Sequence, residues 1–155
     1  LEKIGIRTVH HLPGVGENLR DHTHVRSQYE ANQPVTANDL FNNQWFAIQE
    51  AARYLFFRTG IFRTPTIKVT AFVRSPYAVD CPDVRIQLAL ASGRSRDPRD
   101  GVDPFSGFNL GSYDVFPRST GSVHAASADP REPAHMKANY FADERDLAVN
   151  LWAMK

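Results

Sequence analysis

The residues best suited to chemistry lie close to the start of the chain. Four histidines, His10, His11, His22 and His24, and the carboxylate of Asp21 are of the types that bind divalent transition metals. Their spacing matches no standard zinc arrangement, and in an extended segment His22 and His24 would share one face while Asp21 pointed away. Solvated or hydrogen-bonded histidines are therefore expected, and no metal site is predicted.

A glycine-containing stretch, Gly-Val-Gly-Glu-Asn-Leu at 14–19, imitates the start of a dinucleotide-binding fingerprint. In that fingerprint, glycines let the backbone approach a pyrophosphate at a helix N-terminus. Here the third glycine is missing, no convincing strand precedes the stretch and no clear helix follows it. A structural turn that includes Pro13 is the favoured interpretation, with a phosphate cradle as the alternative.

Nucleophilic catalysis finds little support in the sequence. There is no Gly-x-Ser-x-Gly elbow, and Cys81, the single cysteine, lies between Asp80 and Asp83, whose negative charges disfavour a reactive thiolate. One cysteine also excludes an internal disulfide, which favours a reducing, cytoplasmic compartment. No catalytic residue is assigned on these grounds.

The elements that must position these residues begin with a helix predicted over 38–60. Asn38 is expected to cap its start, Gly60 to follow its end, and its apolar side chains to form one packed face. That face recurs at alternating spacings of four and three residues and consists of Phe41, Trp45, Ile48, Ala52 and Leu55.

The remainder of the chain changes to the period of β-strands. Val84, Ile86, Leu88 and Leu90 alternate with polar or small residues, and similar runs lie at 67–74, 108–116 and 121–127. A charged surface loop is expected over 93–104. Asp143 and Asp146 are spaced like a capping box before a final helix that carries Leu147, Leu151 and Met154. The pattern predicts an α+β fold with a mostly antiparallel sheet backed by helices.

Composition excludes several classes of protein. The 155 residues include 18 basic and 17 acidic side chains, a formal net charge of +1, so a nucleic-acid partner is not expected. No apolar run approaches the roughly 20 residues that a membrane-spanning helix needs.

Several segments together resemble the glucose-methanol-choline family of flavoproteins. The most specific is Leu-Pro-Gly-Val-Gly-Glu-Asn-Leu-Arg-Asp-His at 12–22, which resembles the family motif that links the flavin-binding and substrate-binding portions. Further similar stretches follow in order at 54–60 with 71–75, at 82–87, and from Pro-Arg-Ser-Thr-Gly-Ser-Val at 117–123 onwards to Asp146.

The resemblance implies an FAD enzyme that oxidises a small-molecule alcohol to an aldehyde or ketone by hydride transfer to the flavin. It implies that residues 1–25 end the FAD-binding portion, that 26–155 form a truncated substrate-binding domain, and that Asn18, Asp21 and His22 contribute to cofactor binding. The flavin fingerprint would belong upstream of Leu1 and the histidine base downstream of Lys155. The chain is accordingly expected to be an internal fragment, inactive by itself. The alternative is a non-catalytic substrate-binding module that lacks the flavin domain.

The substrate is the least determined part of this resemblance. Many choline dehydrogenase-like members carry Glu where this chain has Lys68 and His where it has Gln87, and both departures put choline in doubt. Conversely, Gln28-Tyr29-Glu30 resembles choline-oxidising members in which the corresponding Glu faces the quaternary ammonium group. Glu30 is therefore a candidate substrate-binding residue, and a surface Glu at a strand end is the alternative.

Overall fold

Two antiparallel sheets organise the computed structural model, which describes residues 1–63, 65–93, 95 and 100–155. Within these ranges the fold is α+β, as the sequence pattern predicts. The strands are β1 (Glu17–Leu19), β2 (Val25–Glu30), β3 (Ile67–Val73), β4 (Val84–Ala89), β5 (Gly107–Asp114), β6 (Gly121–His124) and β7 (His135–Lys137). The α-helices are α1 (Ala37–Asn42), α2 (Gln44–Phe57) and α3 (Glu144–Ala153), and short 3-10 turns lie at Glu2–Ile4 and Ile61–Arg63.

The larger sheet has four strands in the order β2-β5-β4-β3, and the smaller has the order β1-β6-β7. In the larger sheet Gly111 of β5 lies opposite Arg26 of β2 and Gln87 of β4, while Tyr113 lies opposite Arg85. Because successive side chains alternate between the faces of a strand, these five positions share one face. The register therefore collects polar side chains from three strands.

The predicted strands at 67–74, 84–90, 108–116 and 121–127 correspond to β3, β4, β5 and β6. The hydrophobic pattern does not predict β1, β2 or β7, because these strands are short or largely exposed and pair through their backbones. The predicted loop at 93–104 lies partly outside the described residues.

The helix predicted over 38–60 is two helices, interrupted at Asn43, which has an extended backbone. The prediction that Asn38 caps the first helix is wrong. The Asp39 carboxylate accepts a 2.8 Å bond from the Thr36 N–H before α1, and the Asn43 side chain accepts a 3.1 Å bond from the Phe46 N–H at the start of α2. Asn38 instead lies inside α1, buried, where its amide donates to Ser92 Oγ at 3.0 Å.

The apolar face predicted to pack is exposed. Phe41 and Trp45 are 74% and 75% accessible, and Ile48 and Leu55 are also exposed. The buried residue of α2 is Glu50, whose carboxylate accepts a 2.9 Å bond from the Ile61 N–H. Periodicity identifies side chains that share a face, but it does not show what covers them. In this structure no described residue covers the apolar face of the two helices.

Charged side chains occupy the junction between α3 and the larger sheet. Arg145 of α3 donates to Asp114 Oδ2 at 2.7 Å and to Asp83 Oδ2 at 3.0 Å, and both carboxylates are buried. Burial raises the pKa of Asp114, although the Phe116 N–H and Arg145 oppose this effect. Val84 and Val149 are fully buried beside this cluster. The guanidinium therefore fixes α3 to the start of β4 and the end of β5.

The start of α3 is confirmed at Asp143, whose side chain accepts a 2.9 Å bond from the Arg145 N–H. The second half of the predicted capping box is wrong: the Asp143 N–H donates to Ser119 Oγ, and Asp146 accepts from the N–H groups of Arg118 and Ser119 at 2.9 and 2.8 Å. Burial alone would raise the pKa of Asp146, but the hydrogen bonds from Arg118 and Ser119, together with the charge of Arg145, lower it overall. This carboxylate therefore joins α3 to the segment before β6.

Replacing Arg145 tests the importance of this junction. We expect Arg145→Met to lower the free energy of unfolding by about 3–5 kcal/mol, because it leaves Asp83 and Asp114 buried without their cation. The measurement is the urea midpoint followed by circular dichroism. Arg131→Met is the matched control, since Arg131 is 88% exposed where it pairs with Asp129, and it should leave the midpoint unchanged. Equal midpoints for the two variants would contradict the structural role of Arg145.

Candidate functional site

A cleft of about 560 Å³ opens on the polar face of the four-stranded sheet. It is formed by β2, β4 and β5, by the first residue of β3, by the segment that precedes β2, and by a residue that follows β7. The lining residues are Asp21, His22, Thr23, His24, Arg26, Ile67, Arg85, Gln87, Tyr113 and Tyr140. Most carry hydrogen-bonding groups, so the cleft is suited to a small polar ligand.

Tyr113 lies at the centre of this cleft. The His22 ring stacks on it at a centroid distance of 4.5 Å, and the His24 ring meets it edge-on at 5.3 Å. Its phenolic oxygen accepts a 2.8 Å bond from Arg85 Nη1, and the guanidinium carbon lies 5.7 Å from its ring centroid. One aromatic side chain thus orients two imidazoles and a guanidinium.

The position of His24 depends on a glycine in the neighbouring strand. A Cβ atom at Gly111 would lie 2.2 Å from His24 Nε2, so the imidazole occupies space that any other residue would fill. Arg26 Nε donates to His24 Nδ1 at 3.4 Å, and Gln87 Nε2 lies 3.4 Å from His24 Nε2. The ring is therefore held over β5 by side chains from the strands on both sides.

Asp21 and His22 form the rim of the cleft nearest the chain start. Asp21 accepts hydrogen bonds from the His22 N–H at 2.8 Å and from the Tyr140 hydroxyl, which is 119 positions away in the sequence. His22 Nε2 lies 3.1 Å from the carbonyl oxygen of Val115, and because a carbonyl only accepts, Nε2 is the donor of this bond. The rim thus connects the segment before β2 to two distant parts of the chain.

The structure places only some of the residues that the sequence predicts as functional at the cleft. Asp21 and His22 line the cleft, whereas Asn18 lies exposed in β1 with a positive φ of 60° and is not among the lining residues. Glu30 is exposed at the end of β2, on the same face as Arg26 but four residues beyond it, roughly 13 Å along the strand.

Gln87, which the sequence analysis singles out, also lines the cleft, but other lining residues escape sequence reasoning. Arg26 and Arg85 occupy the polar positions of half-apolar strands, which is a signal for a solvated face and does not distinguish a binding face from an ordinary surface. Tyr113 and Tyr140 give no sequence signal, because their place in the cleft follows from strand register and from the path of the chain after β7.

The stretch at 14–19 forms a turn followed by a strand. Val15 N–H donates to Leu12 O at 3.1 Å and Glu17 N–H to Gly14 O at 3.2 Å, after which β1 begins at Glu17. A helix N-terminus that could bind a pyrophosphate is absent at this point. In the ranges that the structure describes, no three His, Cys, Asp or Glu side chains are grouped to hold a metal ion. The helices described there are too short or too polar to cross a bilayer.

The comparisons with known proteins give consistent matches along the chain. The chain is 34% identical over 149 residues to an oxygen-dependent choline dehydrogenase of Vibrio vulnificus, and 35% identical over 148 residues to one of Brucella anthropi. These matches cover 94% and 96% of this chain but 26% of each relative, so the chain spans about a quarter of their length. No family model matches the chain.

Solved structures share the fold at low sequence identity. A formate oxidase variant of Aspergillus oryzae RIB40 superposes with a TM-score of 0.79 at 19% identity, covering 99% of this chain and 31% of that one. Pyridoxine 4-oxidase from Mesorbium loti superposes with a TM-score of 0.67, also at 19% identity, covering 99% of this chain and 26% of the oxidase. The two antiparallel sheets and their helices therefore have the α+β arrangement found in these two oxidases. With the sequence matches, this confirms the resemblance to the glucose-methanol-choline family drawn from 12–22 and the later stretches.

Changing the glycine beneath His24 tests the geometry of the cleft. We expect Gly111→Ala to displace the imidazole from the edge of Tyr113, because the new methyl group takes its place, with little loss of stability since the ring ends a flexible side chain. The chemical shift of the His24 ring protons reports the displacement through the ring current of Tyr113. Gly14→Ala is the control, since a Cβ there meets nothing within 4 Å. Unchanged His24 signals in Gly111→Ala would contradict this packing.

Proposed function

We propose that this chain forms the substrate-binding part of an FAD-dependent oxidoreductase that oxidises a CH–OH group to an aldehyde or ketone. The observation that carries the proposal is the match over 94% of the chain to proteins named oxygen-dependent choline dehydrogenase. The cleft supports it, because its hydrogen-bonding side chains can orient a small alcohol. Residues 1–25 would then connect to the flavin-binding portion and 26–155 would form the substrate-binding portion.

The residues present fit one edge of a flavin site. Asp21 and His22 are held rigidly at the cleft rim by Tyr140, Val115 and Tyr113, so they can contact a cofactor that closes the cleft. Asn18, which is exposed and lies three residues before Asp21 in the sequence, is the third residue that would hold the cofactor. The turn at 14–16 leads into a strand and offers no helix N-terminus, so a pyrophosphate would need other residues.

When bound, the flavin would accept the hydride from the alcohol carbon. The contribution of this chain would be to bind the alcohol, orient its CH–OH group and exclude water, with Tyr113, His24 and Gln87 as the hydrogen-bonding wall of the cleft. The proton acceptor is not assigned to any of these side chains.

Flavin reduction tests the proposal. In a protein that carries this chain together with its flavin-binding portion, we expect a small alcohol added without oxygen to bleach the visible absorbance of the bound FAD. The 155-residue chain alone, mixed with FAD and desalted, should remain colourless because its described residues form no pyrophosphate cradle. Bound flavin that no alcohol reduces would favour the alternative of a non-catalytic binding module, and a stoichiometric yellow spectrum in the chain alone would overturn the cofactor assignment.

A choline-type cation is the second candidate substrate, favoured by the names of the relatives and by the match at Gln28-Tyr29-Glu30. Under this candidate Glu30 supplies the negative charge. A carboxylate about 5 Å from a quaternary ammonium group at an effective dielectric near 20 contributes on the order of 3 kcal/mol, or about a hundredfold in binding.

The variant Glu30→Gln separates this role from a surface position. If Glu30 binds the cation, kcat/KM for choline falls by about a hundredfold, while that for a neutral primary alcohol stays within a few-fold. Glu132→Gln, which removes an equal charge from the exposed loop between β6 and β7, is the control. Equal small changes for both alcohols would place Glu30 outside the substrate site.

A further inference from the structure

Arg85 is unusual among the charged residues at the centre of the sheet. The half-buried guanidinium lies 5.7 Å from the Tyr113 ring centroid and 5.9 Å from that of Phe72, and among the described residues it donates to the Tyr113 hydroxyl alone. Its Nε is buried without a hydrogen-bond partner, and no carboxylate of the described residues pairs with it. Arg145, on the opposite face, also has a buried Nε without a partner, but its charge is paired with two aspartates at 2.7 and 3.0 Å.

A guanidinium held against two aromatic rings without a counterion has lost hydration that nothing in the described chain replaces. Its Nη2 makes no hydrogen bond to the described residues and is not among their buried unpartnered atoms, so it is available from the cleft. An oxyanion placed there would restore a charge-assisted hydrogen bond.

Besides Arg85, two described lining residues of the cleft carry a permanent charge, Arg26 and Asp21. Arg26 lines it from β2, opposite Gly111 and two strands away from β4, roughly 10 Å across the sheet. Asp21 is the carboxylate among the lining residues, and it accepts hydrogen bonds from Tyr140 and from the His22 N–H. Among the described lining residues two arginines therefore stand against one engaged carboxylate, and this balance repels a quaternary ammonium group and attracts an anion.

Gln87 lies in the cleft beside His24, so the β4 side chain next to this imidazole is neutral.

We propose that the alcohol bound in this cleft carries a carboxylate, and that Arg85 binds this group and so determines specificity. That the ligand is an alcohol rests on the proposed function, whereas the binding of its carboxylate does not. Arg26, on the strand that flanks β5 opposite β4, would also attract the carboxylate. The Gln87 and Tyr113 side chains would lie between the carboxylate and the hydroxyl-bearing end of the ligand.

Three small primary alcohols of different charge test the proposal without flavin: glycolate, ethylene glycol and choline. In a nuclear magnetic resonance titration of the 155-residue chain, glycolate should shift the Arg85 Nε–H signal and the backbone amides of Tyr113 and Gln87 saturably. Ethylene glycol and choline should not. Arg85→Gln should weaken glycolate binding about tenfold or more, and Arg85→Lys less, because it keeps the charge but loses the planar fork.

Arg131→Gln is the matched control, since it removes an exposed arginine outside the cleft and should leave glycolate binding unchanged. The amide spectrum of each variant reports whether it is folded, and Arg85→Lys decides the question if Arg85→Gln does not fold. Choline binding in preference to glycolate, no glycolate binding to the folded chain, or equal glycolate binding in the wild type and in folded Arg85 variants would overturn the proposal. If glycolate binds through Arg85 but no alcohol reduces the flavin, the proposed oxidoreductase function fails while the anion site stands.

Discussion

The interaction on which the described fold most depends is the bonding of one guanidinium to two buried aspartates. Arg145 reaches from α3 to Asp83, which precedes β4, and to Asp114, which ends β5. These positions set the ends of the two central strands, so the same contact that attaches the helix also fixes the strand ends. Asp83 in turn accepts from the Ser75 N–H and hydroxyl at 2.8 and 2.7 Å, which extends the junction to the end of β3.

The two faces of the central strands differ in how their charged side chains are paired. On the face beneath α3, buried carboxylates surround Arg145 and the charges are paired. On the other face, Arg85 and Tyr113, the immediate neighbours of Val84 and Asp114 along their strands, form a cleft that is open to a ligand. Because successive side chains of a strand point to opposite faces, the ion-paired cluster of Arg145 and the cluster of Arg85, which has no carboxylate partner among the described residues, lie one residue apart along the strands. A structural ion cluster can therefore support a binding surface without sharing its side chains.

Apolar surface is distributed unusually in this chain. Within the described residues the buried apolar side chains are Val84, Ala89 and Val149, whereas large apolar side chains of α2 are exposed. The helices are instead held by polar contacts, such as Asn38 with Ser92 and Glu50 with the Ile61 N–H. Exposed apolar faces of this kind are typical of surfaces that pack against another protein or another part of the same protein.

The sequence by itself determined the class of the fold, four of the strands, the start of α3 at Asp143, and the family resemblance, because these depend on periodicity, capping chemistry and a specific run of residues at 12–22. Asp21 and His22 belong to that run, and the structure places both at the cleft, while their role toward a cofactor stays a prediction. Only the tertiary structure decided that Asn38 is a buried hydrogen-bonding residue and no cap, and that the apolar face of 41–55 is uncovered. It alone brought Arg26, Arg85, Tyr113 and Tyr140 together, since strand register and long-range chain path join residues up to 119 positions apart and leave no periodic trace in the sequence.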